Sequence, residues 1–386
     1  MDVSARTEPK IVVLLDEAPN TEALVRRLLD ESGARVVLAD RDPRRAQALV
    51  GRIGEDAGRL EVVEVDPRRA ESVARAADGA DWLVVTPGAG AEPDPIIAGA
   101  LEAGVHCLDL SRDPRRASRW SAHREQFTAA GRVVLADASA RSGLPGLLLE
   151  AVTTDRPWAF KVDVATVVRP PTTAHGVPAE MEQVVDEFTA QPRIFAFGHP
   201  TRDLGSYIFP YRYHWFGAPF RRQSVAFTTT PGVESFAARH PKIYRIRAMV
   251  GGLGARALYV LMPVLYPFVF LFRRATRGPV AKVLYHLGVR GDANVPGGIV
   301  VRADVTDGEQ RRGSVEIQHE QPETFDVDVA VAALRGFERD HPEPGVHLLC
   351  EVFEPRSFLE DLEQMGARLH RSESARGPKR SDPAKA

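Results

Sequence analysis

Short apolar runs alternate with amphipathic segments through the first 137 residues, and no other feature constrains the fold as strongly. Between the runs, apolar residues recur at helical spacing, as Leu24, Val25, Leu28 and Leu29 do. Six strands that alternate with helices predict a parallel sheet covered on both faces, a doubly wound α/β domain. The six runs are KIVVLL (10–15), RVVLAD (35–40), LEVVEV (60–65), DWLVVT (81–86), VHCLDL (105–110) and RVVLAD (132–137).

The alternation ends after about residue 156, which predicts a domain boundary. The later sequence predicts a strand in KVDVATVV, a loop leading into a helix over 171–188, and paired strands in GGIVVRADVTDG and RRGSVEIQH. Nine aromatic residues between 195 and 220 are expected mainly to build a core. We predict a Rossmann-like domain at 1–156, a mixed α+β domain at 157–340, a C-terminal strand, turn and helix at 341–370 packing back on the first domain, and a disordered tail at 371–386.

Composition and charge exclude several classes of protein. Lys and Arg number 50 against 52 Asp and Glu, and a net charge of -2 gives no field that would attract nucleic acid or an acidic membrane. Cys107 and Cys350 provide neither a disulfide framework nor a zinc spacing, and no secretory signal is present, so a cytoplasmic protein is expected. Metalloprotease and nucleophile-elbow motifs are absent, and no metal site is predicted.

Residues 258–272 form an almost wholly apolar run that contains two prolines. Arg256 precedes the run, and Arg273 with Arg274 follows it. A bilayer-spanning helix needs about 20 apolar residues, so this run is too short to span. It predicts a buried or interfacial segment, or a peripheral membrane contact that enters one leaflet. An exposed apolar face here would also serve a dimer.

The turn after the first strand, LDEAPNTE, contains no glycine. A dinucleotide site of this fold has G-x-G-x-x-G there, because only glycine lets the backbone approach the pyrophosphate. Asp16 and Glu17 occupy those positions instead, and Pro19 lacks an N–H donor. Two interpretations stay open: a capped turn whose carboxylates satisfy the helix N–H groups, or an unusual phosphate site.

Two residues at the end of the second strand are candidates for contacts to a nucleotide ribose. Asp40 lies about 20 residues beyond the loop, where an acid commonly receives the 2′-hydroxyl. Arg41 beside it would accommodate a 2′-phosphate. The stretch D-R-D-P-R-R is equally consistent with a surface turn and a helix start.

Three stretches resemble the saccharopine dehydrogenase, or saccharopine reductase-like, family: RVVLADRDPRRAQAL (35–49), ADWLVVTPGAGAEPDPIIAGALEAGVHCLDLS (80–111) and AGRVVLADASARSGLPGLL (130–148). The resemblance implies an NAD(P)-dependent oxidoreductase whose site lies in the cleft between the domains. Its small-molecule substrate would be related to amino acids or lipids, and the second domain would bind substrate and form a homodimer. The glycine-free loop departs from the family where the cofactor binds. The alternatives are therefore a non-catalytic binding or scaffold protein and a peripheral membrane protein that handles a lipid.

Carried over residue by residue, the resemblance points to two turns for the cofactor. Thr86, Pro87 and Gly88 follow the fourth strand on the nicotinamide side, and Gly143 lies at the exit of the sixth strand. No catalytic residue is assigned, because a histidine suits proton transfer but nothing selects one. The candidates are His175, His199, His214 and His240.

Two further residues belong to the resemblance without pointing to chemistry. His106 and Asp109 stand in the strand signature that the family shares. We expect both to be buried and structural.

Overall fold

A computed structural model describes most of the chain as two compact units. The described residues are 8–15, 20–54, 58–89, 92–111, 114–169, 193–201, 211–254, 257–261, 264–265, 273–286, 297–308 and 311–374. Residues 16–19 of the predicted loop, the predicted loop and helix over 171–188 and most of the predicted tail lie outside them. The first unit comprises Met1–Leu144 and Glu323–Leu362, and the second comprises Pro145–Pro322 and Glu363–Ala386.

The strands and helices follow one another in a regular order. The strands are β1 Lys10–Leu14, β2 Arg35–Asp40, β3 Leu60–Glu64, β4 Trp82–Val85, β5 His106–Asp109, β6 Val133–Ala136, β7 Lys161–Arg169, β8 Ile194–Ala196, β9 His199–Thr201, β10 Tyr211–Trp215, β11 Arg222–Thr228, β12 Arg245–Gly251, β13 Gly298–Thr306, β14 Arg312–His319, β15 Gly345–Leu348 and β16 Arg368–Ser374. The helices are α1 Thr21–Ser32, α2 Pro43–Ile53, α3 Ala70–Ala77, α4 Asp94–Ala103, α5 Pro114–Ala122, α6 Arg124–Ala129, α7 Gly143–Thr153, α8 Pro231–Arg239, α9 Arg273–Leu284, α10 Pro322–Asp340, α11 Leu349–Val352 and α12 Pro355–Gln364. A short π-helix covers Ala257–Leu261.

The first unit is built on a seven-stranded sheet in the order β3-β2-β1-β4-β5-β6-β15. Every neighbouring pair of strands in this sheet is parallel. Consecutive residues of β4 and β6 are all buried, and since successive side chains point to opposite faces, both faces of these strands are covered. The predicted Rossmann-like α/β fold is confirmed.

Residues from late in the chain complete this first unit. β15 pairs in parallel with β6, with Gly345 opposite Val133. Helix α10 also belongs here from Glu323 onward, and its Asp328 carboxylate lies 3.1 Å from Arg27 Nη2. The sequence analysis assigned residues up to 340 to the second domain. That assignment differs from the structure because a helical pattern does not indicate which sheet the helix covers.

The second unit contains a mixed sheet in the order β10-β11-β12-β7-β13-β14-β16, with β8 and β9 attached beside β12. β12 and β7 are parallel, and the remaining neighbours in that order are antiparallel. β16 includes residues 371–374, which the sequence analysis placed in a disordered tail. The predicted mixed α+β architecture of this region is confirmed.

The nine aromatic residues do not all enter a core. Phe195, Phe216 and Phe220 are buried, as expected, but Tyr213 is 46% and Trp215 65% exposed. Part of the apolar run at 258–272 is also at the surface, because Val260 is 67% and Val264 61% exposed. Among the described residues, no helix is both long and apolar enough to cross a bilayer.

Candidate functional site

The strand order of the first unit reverses between β1 and β4, which lie side by side with Leu14 opposite Val85. In open parallel sheets, ligands bind outside the carboxyl ends of the strands at such a switch point. Thr86 stands there, and its buried hydroxyl donates a hydrogen bond of 2.6 Å to the Leu14 carbonyl. Thr86 therefore ties the two strand ends together.

The rest of the turn after β4 presents backbone to the surface. Pro87 is half-buried and Gly88 is exposed, whereas Ala89 is buried again. The Ala89 amide donates to the Thr86 carbonyl at 3.1 Å, and the Ala89 carbonyl accepts from Arg116 Nη1 at 3.2 Å. This turn is thus fixed from both sides.

Helix α1 begins just beyond the glycine-free loop. Asn20 is its N-cap residue, but the Asn20 side chain makes no capping hydrogen bond. Glu22 in the first turn accepts hydrogen bonds from Arg52 at 2.8 Å and Arg26 at 3.0 Å. These bonds lower the pKa of Glu22 and offset its charge near the helix N-terminus. Asp16 and Glu17 lie outside the described residues.

The Asp40 carboxylate at the end of β2 is already engaged within the chain. Arg45 donates two hydrogen bonds to it, from Nε to Oδ2 at 2.7 Å and from Nη2 to Oδ1 at 2.8 Å. The Asp42 amide adds a third hydrogen bond, to Oδ1 at 2.8 Å. Asp40 is 1% exposed, so at this turn its carboxylate is buried, whereas Arg41, Asp42 and Arg44 are exposed.

A buried cluster below the turn after β4 was not found by sequence reasoning. The Asp109 carboxylate at the end of β5 accepts hydrogen bonds from Trp120 Nε1 at 2.5 Å, the Ser111 amide at 2.9 Å and Arg116 Nε at 3.4 Å. Because Arg116 also bonds the Ala89 carbonyl, it links β5 to the turn at the switch point. Asp109 is buried and structural, as expected.

A repeated motif provides the signal for this cluster. The tetrapeptide Asp-Pro-Arg-Arg occurs at 42–45, 66–69 and 113–116. In the first and third copies the second arginine folds back onto the aspartate that ends the preceding strand. In these two copies the motif follows a strand end whose carboxylate is neutralised internally, whereas in the second copy Arg69 lies 4.0 Å from Glu71.

His106, the other residue of the strand signature, is also structural. Its Nδ1 accepts a hydrogen bond of 3.0 Å from the Val133 amide, and its ring packs against Trp82 and Phe337. Burial, together with the charge of Arg132, lowers the pKa of His106 to about 4, so the ring is neutral at physiological pH.

Asp137 follows β6 in the left-handed backbone region, with φ of 58°. It is 3% exposed and accepts a short hydrogen bond from the Ser142 hydroxyl at Oδ1, whereas Oδ2 has no hydrogen-bond partner among the described residues. Burial raises the pKa of Asp137 well above its ordinary value, and the charge of Asp109 adds to this effect although the Ser142 bond opposes it. The first unit thus holds a carboxyl group that favours its protonated form at the carboxyl end of the sheet.

Gly143, which was predicted to contact a cofactor, is packed closely against the turn after β6. A Cβ atom at this position would lie 2.3 Å from the Asp137 carbonyl oxygen and 3.0 Å from Leu349 Cδ1. Such an approach is far inside van der Waals contact, so the start of α7 reaches the turn after β6 only because residue 143 is glycine.

The second unit contains a polar network on one face of its mixed sheet. Arg302 on β13 bonds Asp304 on the same strand at 2.8 Å and Glu316 on β14 at 3.1 Å. His214 Nε2 on β10 lies 2.9 Å from Asp304 Oδ2. Burial alone would raise the pKa of Asp304, but the contacts with His214 and Arg302 outweigh it and lower the pKa. His214 therefore faces an ionised carboxylate.

The other candidate histidines occupy different surroundings. His240 lies 3.0 Å from Glu150 Oε2 and stacks on Phe236, and His199 is exposed on the short strand β9. His175 lies outside the described residues. Within the described part of the chain, no group of three or more His, Cys, Asp or Glu side chains is arranged to hold a metal ion.

No protein-family model matches this sequence, and no curated protein matches it. Among solved structures, the fold is similar to that of saccharopine dehydrogenase (L-Glu forming) from Saccharomyces cerevisiae, with a TM-score of 0.64 and 10% identity over 96% of this chain and 100% of that chain. A probable dehydrogenase from Thermotoga maritima gives a TM-score of 0.44 at 10% identity, covering 94% of this chain and 98% of that chain. The first likeness shows that the two chains share a fold.

Proposed function

We propose that this protein is an oxidoreductase that uses a nicotinamide dinucleotide, with a small-molecule substrate related to amino acids or lipids. The observation that carries the proposal is the parallel strand order β3-β2-β1-β4-β5-β6, whose switch point lies between β1 and β4. This order creates the crevice in which dinucleotides bind in such sheets. The resemblance of the sequence to the saccharopine dehydrogenase family supports the same assignment.

Two places around the switch point are candidates for different parts of a dinucleotide, one for the nicotinamide and one for the pyrophosphate. The turn at Thr86–Ala89 is fixed and exposes the Gly88 backbone, which suits the flat nicotinamide side. The start of α1 suits the pyrophosphate, since a helix N-terminus attracts an anion. Asp16 and Glu17 weaken that attraction by their charge.

We propose further that NADP(H) is preferred over NAD(H). An acid at the end of β2 selects NAD by accepting the ribose hydroxyls, but both oxygens of Asp40 are engaged by Arg45 and the Asp42 amide. Arg45 also neutralises the negative charge of Asp40, which would otherwise repel a 2′-phosphate. The exposed Arg41 and Arg44 would then bind this phosphate.

Bound nicotinamide would supply or accept the hydride, and the chain must move the accompanying proton. His214 is our candidate for this step, because histidine suits proton transfer and its Nε2 lies 2.9 Å from the Asp304 carboxylate. The Arg302 contact holds that carboxylate in its ionised form. The role of His214 rests on its surroundings within the second unit alone.

Direct titration of the purified chain with NADPH and NADH tests the proposal. We expect saturable micromolar binding of NADPH, followed by nicotinamide fluorescence and calorimetry. Arg41→Ala should weaken NADPH binding about tenfold and leave NADH binding unchanged, because it removes one charged contact to the 2′-phosphate. Arg75→Ala, on the exposed surface of α3, is the matched control.

The two parts of the proposal fail in different ways. If neither nucleotide binds up to millimolar concentration, the oxidoreductase assignment is wrong and a non-catalytic binding protein takes its place. If NADH binds as tightly as NADPH, the dinucleotide assignment stands and the preference assigned to Arg41 is wrong.

A further inference from the structure

Several exposed apolar side chains of the second unit lie on or near the edge strand β10, apart from a separate exposed cluster of Phe160, Phe197 and Tyr244. The rings of Tyr213 on β10 and Tyr259 in the π-helix lie 5.5 Å apart, which joins the strand to the segment that contains Val260. Trp215 is the next residue of β10 on the same face. We call Tyr213, Trp215, Tyr259, Val260 and Val264 the aromatic patch, whose members are 39% to 67% exposed.

Cations border this patch. Arg222, opposite Trp215 in the strand register, places its guanidinium carbon 3.7 Å from the centre of the Tyr213 ring. Arg221 beside it is exposed. Aromatic rings and arginines in one surface are the composition that lies at the boundary between lipid headgroups and acyl chains.

The charge of the surrounding sequence is strongly one-sided. Residues 204–291 contain thirteen Lys and Arg but a single acid, Glu234, although Arg239 and Arg247 pair with Glu150 and Asp163 from outside this segment. The chain as a whole carries 50 basic and 52 acidic residues, so the excess of positive charge in this segment is hidden by an acidic remainder. The near-neutral total therefore does not exclude attraction to an anionic surface.

We propose that the aromatic patch docks the protein on an anionic phospholipid bilayer, as a peripheral contact. Charge favours a bilayer over a second copy of the chain. Two copies that met here would bring two basic segments together, and their like charges would repel. The exposed valines decide against a nucleic acid, which would leave them without an apolar partner. This inference is independent of the dinucleotide proposal.

Vesicle flotation of the full chain tests the inference, with phosphatidylcholine vesicles compared with vesicles that also contain phosphatidylglycerol. We expect the bound fraction to be about tenfold higher on the anionic vesicles at about 0.1 M salt, and to fall at higher salt. Tryptophan emission should shift to the blue on binding, because Trp82 and Trp120 are buried, Trp158 is half-buried and Trp215 is 65% exposed.

Matched variants locate the contact. Trp215→Ser with Val260→Ser should reduce vesicle binding about tenfold, since both side chains would leave water on docking. Phe197→Ser removes another aromatic ring that is 52% exposed but lies outside the patch, and should leave binding unchanged. Arg222→Glu should weaken binding to anionic vesicles, whereas Arg68→Glu on the exposed surface of the first unit should not.

Trp215→Phe tests whether loss of vesicle binding in the serine variant comes from misfolding and not from loss of the contact. This variant keeps an aromatic ring, so it should still float but lose the blue shift. The inference is overturned if the wild type fails to float with anionic vesicles, or if the patch and control variants float equally. It is also overturned if sedimentation shows a dimer that Trp215→Ser with Val260→Ser dissociates, because the occupant of the patch would then be a second copy.

Discussion

The two sheets place their polar groups in opposite ways. In the parallel sheet, strands β1, β2, β4, β5 and β6 consist mainly of buried apolar residues. Asp40, Thr86, Asp109 and Asp137 stand at or just beyond the ends of strands in this group. In the mixed sheet, charged side chains lie along the strands themselves, as in the pair Arg247 and Asp163 and the network around Arg302. A covered parallel sheet therefore confines chemistry to its carboxyl edge, whereas the mixed sheet carries polar groups across a face.

Removal of Asp109 is the strongest test of this contrast. Asp109→Ala should lower the free energy of unfolding of the first unit by about 3–5 kcal/mol, because it leaves the buried Arg116 without its carboxylate. Urea unfolding followed by tryptophan fluorescence measures this, since Trp82 and Trp120 lie in the unit. Asp94→Ala, which removes a largely exposed partner of Arg119, should cost less than about 1 kcal/mol. Equal costs would show that strand-end carboxylates are not special.

Substitution of Gly143 tests how tightly the carboxyl edge is packed. Gly143→Ala should lower the free energy of unfolding by about 1–3 kcal/mol, because the new Cβ meets the Asp137 carbonyl oxygen. Gly51→Ala in α2 is the control: nothing lies within 4 Å of its Cβ, and alanine there should stabilise by about 0.5–1 kcal/mol. A stabilising effect at both positions would mean that the edge is loosely packed.

Acid titration tests the network on the mixed sheet. The pKa of Asp304 is lowered in the folded state, so its ionised form stabilises the protein above the unfolded pKa, and this stabilisation is lost as pH falls through the folded value. Asp304→Asn should therefore reduce stability by about 1–2 kcal/mol at neutral pH and flatten the acid limb of the stability profile. Urea unfolding between about pH 3 and pH 7 measures this. An unchanged acid limb would remove Asp304 from the network.

The smallest effect is expected at the loop after β1. Replacing Asp16 and Glu17 with glycine should raise NAD(P)H affinity a few-fold, since it removes two negative charges near the pyrophosphate position. Fluorescence titration at low and moderate salt measures the gain, which should shrink as salt increases. No gain at low salt would contradict the electrostatic account of this loop.

The order of elements could be predicted from the sequence because apolar periodicity is a local signal. The six strands between Lys10 and Ala136 lie where the alternation placed them. The position of α10 could not be predicted, because it depends on contacts such as that between Arg27 and Asp328, which are far apart along the chain.

The candidate site was predicted less completely than the fold. Asp40 and Gly143 were located at strand ends, but their partners Arg45 and the Asp137 carbonyl, and hence their roles, needed coordinates. The Asp-Pro-Arg-Arg repeat and the basic segment at 204–291 were present in the sequence all along. The basic segment was missed because charges were counted over the whole chain.

The strand β15 has a consequence for how the protein is made. β6 gains its second neighbour only when Gly345–Leu348 has been synthesised, after nearly the whole second unit. Over the intervening residues, at ribosomal speeds of about 5–20 residues per second, β6 stays an open edge for roughly ten to forty seconds. A nascent chain with an unpaired apolar strand is exposed to wrong pairing in that interval, and chaperone demand during translation should be concentrated there.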